Sequence, residues 1–377
     1  MRVLICRSNP IAPDPRVEKE AKALVEAGYE VAALGWDRGA ILPLEEERMG
    51  IKIHRLHIKA KFGNGLGNLP ALMRWQAGLM GWLIRNRNLY DVIHACDFDT
   101  ILPALMAKML FGKKVVYDIF DFYAAHLRRT PEWIKNLIRN ADYWAISKAD
   151  AVIIVDDSRR EQIHGSQPKR LDVIYNSPED VRENITRDDA AYSDAMKFRL
   201  AYIGLLQVER GLFEMLDVLK RHADWGLVMA GFGGDEAEIA AQSKGSKNLN
   251  FLGRIPYEPA LRLSLAADAL FATYDPSIPN HRYSSPNKVF EAMMLGKPIV
   301  VCHDTNMDRM IADADCGLVI PYADVNALEG ALIQLANDPA LRERLGRNGR
   351  VAYETHYGWH IMQARLLELY RFVSGQA

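Results

Sequence analysis

The sequence predicts an α/β protein with two Rossmann-like, doubly wound domains. Its 377 residues are more than one hydrophobic core usually serves. Short β-branched and apolar runs alternate with longer helical patterns, which is typical of parallel strands joined by helical crossovers. This alternation occurs twice, and a polar segment separates the two series. Together these observations favour two consecutive domains of the same class.

The predicted strands are short and lie between helical patterns. In the first half of the chain they are Val3–Cys6, Glu30–Leu34, Ile51–Leu56, Asp91–Ala95, Lys114–Asp118, Ala151–Val155 and Leu171–Ile174. In the second half they are Arg199–Ile203, Gly226–Ala230, Leu249–Gly253, Ala269–Thr273, Ile299–Cys302 and Gly317–Ile320. Ligands of doubly wound domains bind beyond the carboxyl ends of the strands, so the residues that follow each run are the candidates for function.

The domain limits follow from the same pattern. We expect a first domain at 1–178 and a second at 195–357, with the acid-rich segment 179–194 as a linker. An amphipathic helix at about 358–377 ends the chain.

Composition sets few limits on function. The net charge of −1 gives no indication of a nucleic-acid partner. The four cysteines stand in or beside apolar runs without metal-ligand spacing, which predicts buried thiols in a reducing compartment: Cys6, Cys96, Cys302 and Cys316. We find neither a signal-peptide pattern nor an apolar run of roughly 18 residues, so we expect a cytoplasmic protein whose contact with membranes is at most peripheral.

The stretch 284–298 carries the most complete local signal. Residues typical of a capped and terminated helix stand at its ends: Ser285, Pro286, Gly296 and Pro298. Lys288 and Glu291 share one face near the amino end. Helix amino ends attract anions, so the pattern predicts a cation and a carboxylate beside an anion site. The alternative is an ordinary capped helix in an α/β domain.

This stretch resembles the donor-binding signature of the family 4 retaining glycosyltransferases. In that family a glutamate, a small residue and a Gly-Lys-Pro turn precede a buried strand, and the glutamate holds the ribose of a nucleotide sugar. Here these positions are Glu291, Ala292 and Gly296–Pro298. The resemblance implies the GT-B fold, in which two Rossmann-like domains face a cleft and the C-terminal helix crosses back. Tyr283 departs from the pattern, because the family usually has a second glutamate there.

Other segments resemble the family in the expected order. Residues 202–211 are similar to its phosphate loop, with Arg210 in place of a lysine and Leu205 in place of an arginine. Arg210 as a plain surface cation is the alternative. The donor-binding residues that the resemblance implies are Gly204, Arg210, Gly231, Gly233, Arg254, Ile255, Tyr283, Ser284, Ser285, Asn287, Lys288 and Glu291. Arg210 and Lys288 are expected to stabilise the departing diphosphate of a UDP- or GDP-sugar. No acidic cluster suits Mg²⁺, so we expect neither a metal nor another cofactor.

In the first half, the loop after the first strand resembles the acceptor border of the family, which implies acceptor-side roles for Pro13, Asp14 and Arg16. A rigid βα loop is the alternative. Asp97 and Asp121 follow two strands and are the candidates for orienting the acceptor hydroxyl. The histidines of the family are replaced here by Cys96 and Phe120. Carboxylates at strand ends are also common helix caps.

Residues 51–90 contain no Asp or Glu but seven Lys and Arg. Within them, 66–87 has an apolar stripe at helical spacing with Trp75 and Trp82 one heptad apart. A basic amphipathic helix of this kind is typical of an anionic membrane surface. Alternatively, the stripe packs on the sheet of its own domain. Basic and aromatic residues recur in a second helical region that begins at Arg128 and Arg129.

The resemblance covers nearly the whole chain and implies a glycosyltransferase active in polysaccharide or lipid-linked glycan biosynthesis. It would move a sugar, with retention, from a nucleoside-diphosphate sugar to a glycan or lipid-linked acceptor. Two alternatives remain: a non-catalytic GT-B partner subunit, favoured by Leu205, Phe120 and Tyr283, and a GT-B epimerase acting on a UDP-sugar.

Overall fold

The computed structural model describes residues 1–61, 65–127 and 130–375. The strands in the first part are β1 (Arg2–Arg7), β2 (Glu30–Asp37), β3 (Glu45–Arg48), β4 (Ile51–His57), β5 (Val92–Cys96), β6 (Lys114–Ile119), β7 (Ala151–Ile154) and β8 (Leu171–Val173). The helices there are α1 (Pro15–Glu26), α2 (Leu69–Arg85), α3 (Phe98–Phe111), α4 (Tyr123–His126) and α5 (Glu132–Lys148).

The later strands are β9 (Phe198–Leu205), β10 (Trp225–Phe232), β11 (Leu249–Phe251), β12 (Ala269–Ala272), β13 (Ile299–Cys302) and β14 (Gly317–Ile320). The later helices are α6 (Leu212–Arg221), α7 (Glu236–Lys244), α8 (Tyr257–Ala266), α9 (Pro279–Arg282), α10 (Asn287–Leu295), α11 (Met307–Ala314), α12 (Val325–Asn337), α13 (Pro339–Ala352) and α14 (Trp359–Ser374).

These elements form two compact units. The first unit comprises 1–175 together with 362–377, and the second comprises 176–361. Among the described residues, the first unit has a sheet in the order β3-β4-β2-β1-β5-β6-β7-β8, and the second has β11-β10-β9-β12-β13-β14. All pairings are parallel except that of β3 with β4. The predicted α/β class with two parallel-sheet domains is therefore confirmed.

The central strands are buried because helices cover both faces of each sheet. In β1, for example, Val3 pairs with Val31 of β2 on one side and with Val92 of β5 on the other. Val3, Leu4 and Ile5 are nearly inaccessible to solvent. Each of the thirteen predicted strand segments coincides with an observed strand to within a few residues. The continuous apolar runs of the sequence thus indicate these doubly covered strands.

Strand β3 was not predicted. Its sequence, Glu45-Glu46-Glu47-Arg48, has no apolar residue and therefore no alternation. It pairs antiparallel with β4 at the sheet edge, where Lys52 forms an ion pair with Glu45. Cross-strand charge pairs stabilise this strand in place of a buried face.

Helix α2 packs on the sheet of its own unit. Trp75, Leu79 and Leu83 are fully buried, and the Trp75 ring stacks on Trp36 with 5.4 Å between centroids. The Trp75 indole donates to the Asp99 carbonyl oxygen at 3.0 Å. Much of the apolar stripe of the predicted amphipathic helix is therefore core, and Trp75 does not anchor a membrane, whereas Leu69 and Met73 near the amino end of α2 are exposed. Arg128 and Arg129, which belong to the second predicted basic region, lie outside the described residues.

In the part of the chain that the structure describes, no helix combines the length and the apolar character needed to cross a bilayer.

Candidate functional site

In the second unit, glycines bring the carboxyl ends of two strands together. Gly204 and Gly231 are the penultimate residues of β9 and β10, with φ of 152° and 147°. A Cβ atom on Gly231 would clash with the Gly204 carbonyl, and one on Gly233 would clash with the Leu206 backbone. The Gly231 amide donates to the Gly253 carbonyl at 2.8 Å. Only glycines permit this approach, so the predicted glycine positions lie in one place.

Lys288 lies at the first turn of α10 and extends to the β9 end. Its ammonium is 4.6 Å from the ring centroid of Tyr202, and it occupies the space that a side chain at Gly204 would need. Burial opposes its charge, but Tyr202, Tyr274 and Glu291 outweigh this effect and raise the pKa of Lys288. Lys288 is therefore a protonated cation at the close approach of Gly204 and Gly231, here called the glycine turn.

Arg210 lies in the loop after β9. Its guanidinium stacks over the Tyr274 ring at 3.8 Å, and its Nε is buried without a hydrogen-bond partner. The positive charge of Arg210 is close enough to act against protonation of Lys288. Among the described residues, neither cation forms an ion pair with a carboxylate. Both are held by aromatic rings, which leaves their charge available to an anion.

Glu291 lies one turn along α10 from Lys288. The Tyr257 hydroxyl donates to Glu291 Oε1 at 3.0 Å. Tyr257 is the first residue of α8 and follows the loop that holds Arg254 and Ile255. Arg254 lies over the Phe232 ring at 4.7 Å, and Ile255 is half-buried. The predicted glutamate is therefore connected through Tyr257 to the loop of the predicted donor-binding residues Arg254 and Ile255.

The prediction that Ser285 caps α10 is wrong. The helix starts one residue later than expected, with Asn287 first and Pro286 in an extended conformation before it. Ser285 consequently lies outside the capping position, and its Oγ and that of Ser284 are buried without hydrogen-bond partners. Tyr283 follows the last residue of α9 and stands just before them. At the other end of α10, the predicted left-handed Gly296 is confirmed with φ of 67°.

His281 contributes to this site but was not identified from the sequence. Its ring lies 5.2 Å from that of Tyr274, the ring over which Arg210 stacks. Its Nδ1 lies 3.0 Å from the Asp275 carbonyl oxygen. Burial and the charge of Arg210 lower the pKa of His281 to about 4. A neutral imidazole therefore adds no positive charge to the pair of cations.

In the first unit, Asp97 is part of a charged cluster at the β5 end. Arg7 forms ion pairs with Asp97 and with Asp14, where its Nε lies 3.4 Å from the carboxylate, and stacks 3.8 Å from the Phe120 ring. Asp97 has φ of 63° and caps no helix amide; its carboxylate accepts from the Phe120 amide at 2.8 Å. Burial, with the nearby Asp99 and Asp121, raises the pKa of Asp97 to about 6 against the opposing charge of Arg7.

The other predicted residues of this unit have structural partners. Asp121 forms an ion pair with Arg159 at 2.8 Å. Asp14 caps α1 by accepting from the Val17 amide, and Pro13 is exposed in the loop before it. The structure thus places Asp14 beside Asp97, linked through Arg7. Arg7 was missed because it lies 90 residues from Asp97 in the chain.

Arg16, in contrast, points into the core. Its guanidinium forms a bidentate pair with Asp118 at 3.0 Å and contacts Glu20 at 3.1 Å. His94 completes the network, with Nδ1 2.8 Å from the Tyr370 hydroxyl and Nε2 3.5 Å from Asp118. His94 packs in the interior.

The same network contains side chains that are common metal ligands. Atoms of His94, Cys96 and Asp118 all lie within 4.8 Å of one another. Arg16 already supplies positive charge to the Asp118 carboxylate. We therefore interpret the group as a charge-compensated part of the core.

Sequence profiles of two glycosyltransferase domains together match most of the chain. The "Glycosyl transferase 4-like domain" matches residues 13–177, and "Glycosyl transferases group 1" matches residues 185–352. The chain belongs to the family 4 type of GT-B glycosyltransferases. These matches cover both units, including the glycine turns and the Lys288–Glu291 face, and support a hexosyltransferase enzyme.

Relatives and solved structures agree with this family. D-inositol 3-phosphate glycosyltransferase of Kribbella flavida is 23% identical, over 93% of this chain and 88% of that protein. Sucrose-phosphate synthase from Thermosynechococcus elongatus has the same fold, with a TM-score of 0.82, 16% identity and full coverage of both chains. The Anabaena protein HepE gives a TM-score of 0.71 at 14% identity, with 98% of each chain covered. The chain therefore shares its fold with both solved structures.

Proposed function

We propose that this glycosyltransferase transfers a sugar, with retention of anomeric configuration, from a nucleoside-diphosphate sugar to a glycan or lipid-linked acceptor. The observation that carries the proposal is the pair of cations Lys288 and Arg210. Both lie near the glycine turn of the second unit on aromatic rings rather than on carboxylates. A diphosphate leaving group develops negative charge during transfer, and preorganised cations stabilise such charge.

Each part of the donor has a matching group in the second unit. The diphosphate would lie beside Gly204 and Gly231, where the strand ends approach closely and Lys288 fills the space next to Gly204. Lys288 and Arg210 would stabilise its charge, together with the amides at the start of α10. Glu291 would accept hydrogen bonds from the ribose hydroxyls. HepE, which has this fold, has been crystallised with UDP and glucose, and this supports the placement of a nucleotide sugar.

For the reaction, we propose that the acceptor oxygen forms a bond to the anomeric carbon as the bond to the diphosphate oxygen breaks. The leaving phosphate takes the proton of the acceptor hydroxyl on the same face of the sugar. This route needs no histidine base, which agrees with the presence of Cys96 and Phe120 at the family's histidine positions. Asp97 of the first unit is the candidate for orienting the acceptor. No metal or other cofactor is assigned a role.

We also propose that the first unit contacts an anionic membrane surface through residues 66–87 and the neighbouring α3. On α2 and α3 the exposed large apolar side chains are Leu69, Met73, Ile84, Met106, Met109 and Leu110. Arg74 and Arg85 of α2 are also exposed. Apolar side chains beside cations suit an acidic bilayer surface. The protein should bind acidic vesicles at low salt; equal partition to neutral and acidic vesicles would contradict this.

A panel of UDP- and GDP-sugars, with and without lipid-linked acceptors, tests the proposed reaction. We expect release of the nucleoside diphosphate together with glycosylated acceptor, and loss of activity or a raised donor KM in Glu291→Ala. An unchanged Glu291→Ala enzyme would refute the donor placement. Isomerised sugar would indicate an epimerase instead, and donor binding without turnover would indicate a partner subunit.

A further inference from the structure

Tyr257 occupies a position that connects two parts of the proposed donor site. It opens α8 directly after the loop of Gly253 and Arg254. That loop is fixed to the glycine turns, since the Gly253 carbonyl accepts from the Gly231 amide at 2.8 Å. Further along α8, Leu261 and Leu263 are buried. The base of the Tyr257 side chain is therefore held in place by the sheet.

The end of this side chain contacts the carboxylate of α10. The Tyr257 hydroxyl donates to Glu291 Oε1 at 3.0 Å, although the ring itself is 48% exposed. Burial of the hydroxyl and the charge of Glu291 both raise the pKa of Tyr257. The phenol therefore remains protonated at neutral pH and is the donor of this hydrogen bond. Hydrogen bonds to charged groups are stronger than those between neutral groups.

We infer that Tyr257 is a positioning residue that fixes the orientation of the Glu291 carboxylate before the nucleotide binds. Glutamate has three rotatable side-chain bonds, and a fixed donor selects one arrangement of them. The ribose hydroxyls then meet an already ordered acceptor, which reduces the entropy lost on binding. Because Tyr257 follows the Gly253 loop directly, it also sets the distance between that loop and the Glu291 carboxylate. The inference rests on the proposed function, which places a nucleotide at Glu291.

The test is calorimetric titration of UDP, GDP and their 2′-deoxy forms into the full-length protein. The variants are Tyr257→Phe, Glu291→Ala and the double variant. Tyr257→Phe keeps the ring and removes only the hydroxyl. Tyr143→Phe is the matched control, because its hydroxyl donates to the Gln162 carbonyl at 2.9 Å in the first unit.

We expect Tyr257→Phe to raise the Kd of the ribonucleotide about five- to tenfold, as for loss of one hydrogen bond. The 2′-deoxynucleotide should lose less affinity, and Tyr257→Phe should add nothing to Glu291→Ala, since the two act through one contact. Tyr143→Phe should bind like the wild type.

An unchanged Kd in Tyr257→Phe, while Glu291→Ala binds weakly, would overturn the positioning role alone. Equal losses for ribo- and deoxynucleotides, or additive losses in the double variant, would likewise overturn it, because a merely structural role has those effects. Unimpaired binding to Glu291→Ala would overturn the proposed donor placement and this inference together, as would failure of the wild type to bind either nucleotide.

Discussion

Cations lie near the carboxyl ends of the parallel strands in both units, but their partners differ. In the first unit Arg7 and Arg16 form ion pairs with Asp97, Asp14, Asp118 and Glu20. In the second unit Lys288 and Arg210 lie on the rings of Tyr202 and Tyr274, and among the described residues neither has a carboxylate partner.

This difference distinguishes cations that stabilise the fold from cations that are available to bind a ligand. A buried cation in an ion-pair network stabilises its neighbours, and its removal leaves uncompensated carboxylates. A cation held on an aromatic ring keeps its charge for an incoming anion. The comparison therefore predicts that removing a cation harms stability in the first unit and function in the second.

The largest expected effect on stability follows Arg16→Leu. Asp118 and Glu20, both fully buried, would lose their cation, at a loss of about 3–5 kcal/mol in the free energy of unfolding. Chemical denaturation of the full-length protein measures this loss. Lys220→Leu is the control, since it removes an exposed lysine paired with Asp217 and should have little effect. If Arg16→Leu is as stable as the wild type, the network is not structural.

Lys288→Ala should have the opposite consequence. We expect kcat/KM for the sugar donor to fall about 10²–10³-fold, the usual loss when one group that stabilises transition-state charge is removed. The free energy of unfolding should change by only about 1 kcal/mol, because no carboxylate pairs with Lys288. Donor kinetics and denaturation of the same preparation measure both quantities. If Lys288→Ala loses as much stability as Arg16→Leu, the proposed distinction between the units is wrong.

The glycine turn requires a residue without a Cβ atom at Gly231 but not at Gly234. Gly231→Ala should destabilise the protein by about 1–3 kcal/mol, because the new Cβ clashes with the Gly204 carbonyl. Gly234→Ala, three residues away, has no atom near its new Cβ and should behave like the wild type. Thermal unfolding distinguishes the two. Equal melting temperatures would show that Gly204 and Gly231 can move apart without loss of stability. The close approach of the two strand ends would then not be required for folding.

The smallest expected effect is on the pH dependence of stability. Burial raises the pKa of Asp142 to about 7 and of Asp97 to about 6, above the values of an unfolded chain. Folding therefore favours the protonated forms of both carboxyl groups. Their contribution to the free energy of unfolding is present at low pH and is lost as pH rises through about 6–7. Asp142→Asn keeps the Tyr117 hydrogen-bond acceptor without the charge. Its melting temperature should fall less than that of the wild type between pH 5 and pH 8; an identical fall would contradict the assignment.

The sequence predicted those parts of the protein that depend on local patterns. Doubly buried strands have continuous apolar runs, and Gly296 marks a helix end by its own backbone conformation. The all-charged strand β3 has no such pattern, since its partner strand alone defines it. Arg7 and Tyr257 were missed for a related reason: their partners Asp97 and Glu291 lie 90 and 34 residues away, and no local spacing indicates either contact.

The central claim is that Lys288 and Arg210 bind the diphosphate of a nucleotide sugar. The most direct test is calorimetric titration of UDP, GDP, UMP and GMP into the wild type and Lys288→Ala, with Lys220→Ala as control. The account predicts that the wild type binds a nucleoside diphosphate more tightly than the corresponding monophosphate, and that Lys288→Ala loses most of this preference while Lys220→Ala keeps it. Equal affinity of the wild type for mono- and diphosphates, or an unchanged preference in Lys288→Ala, would contradict it.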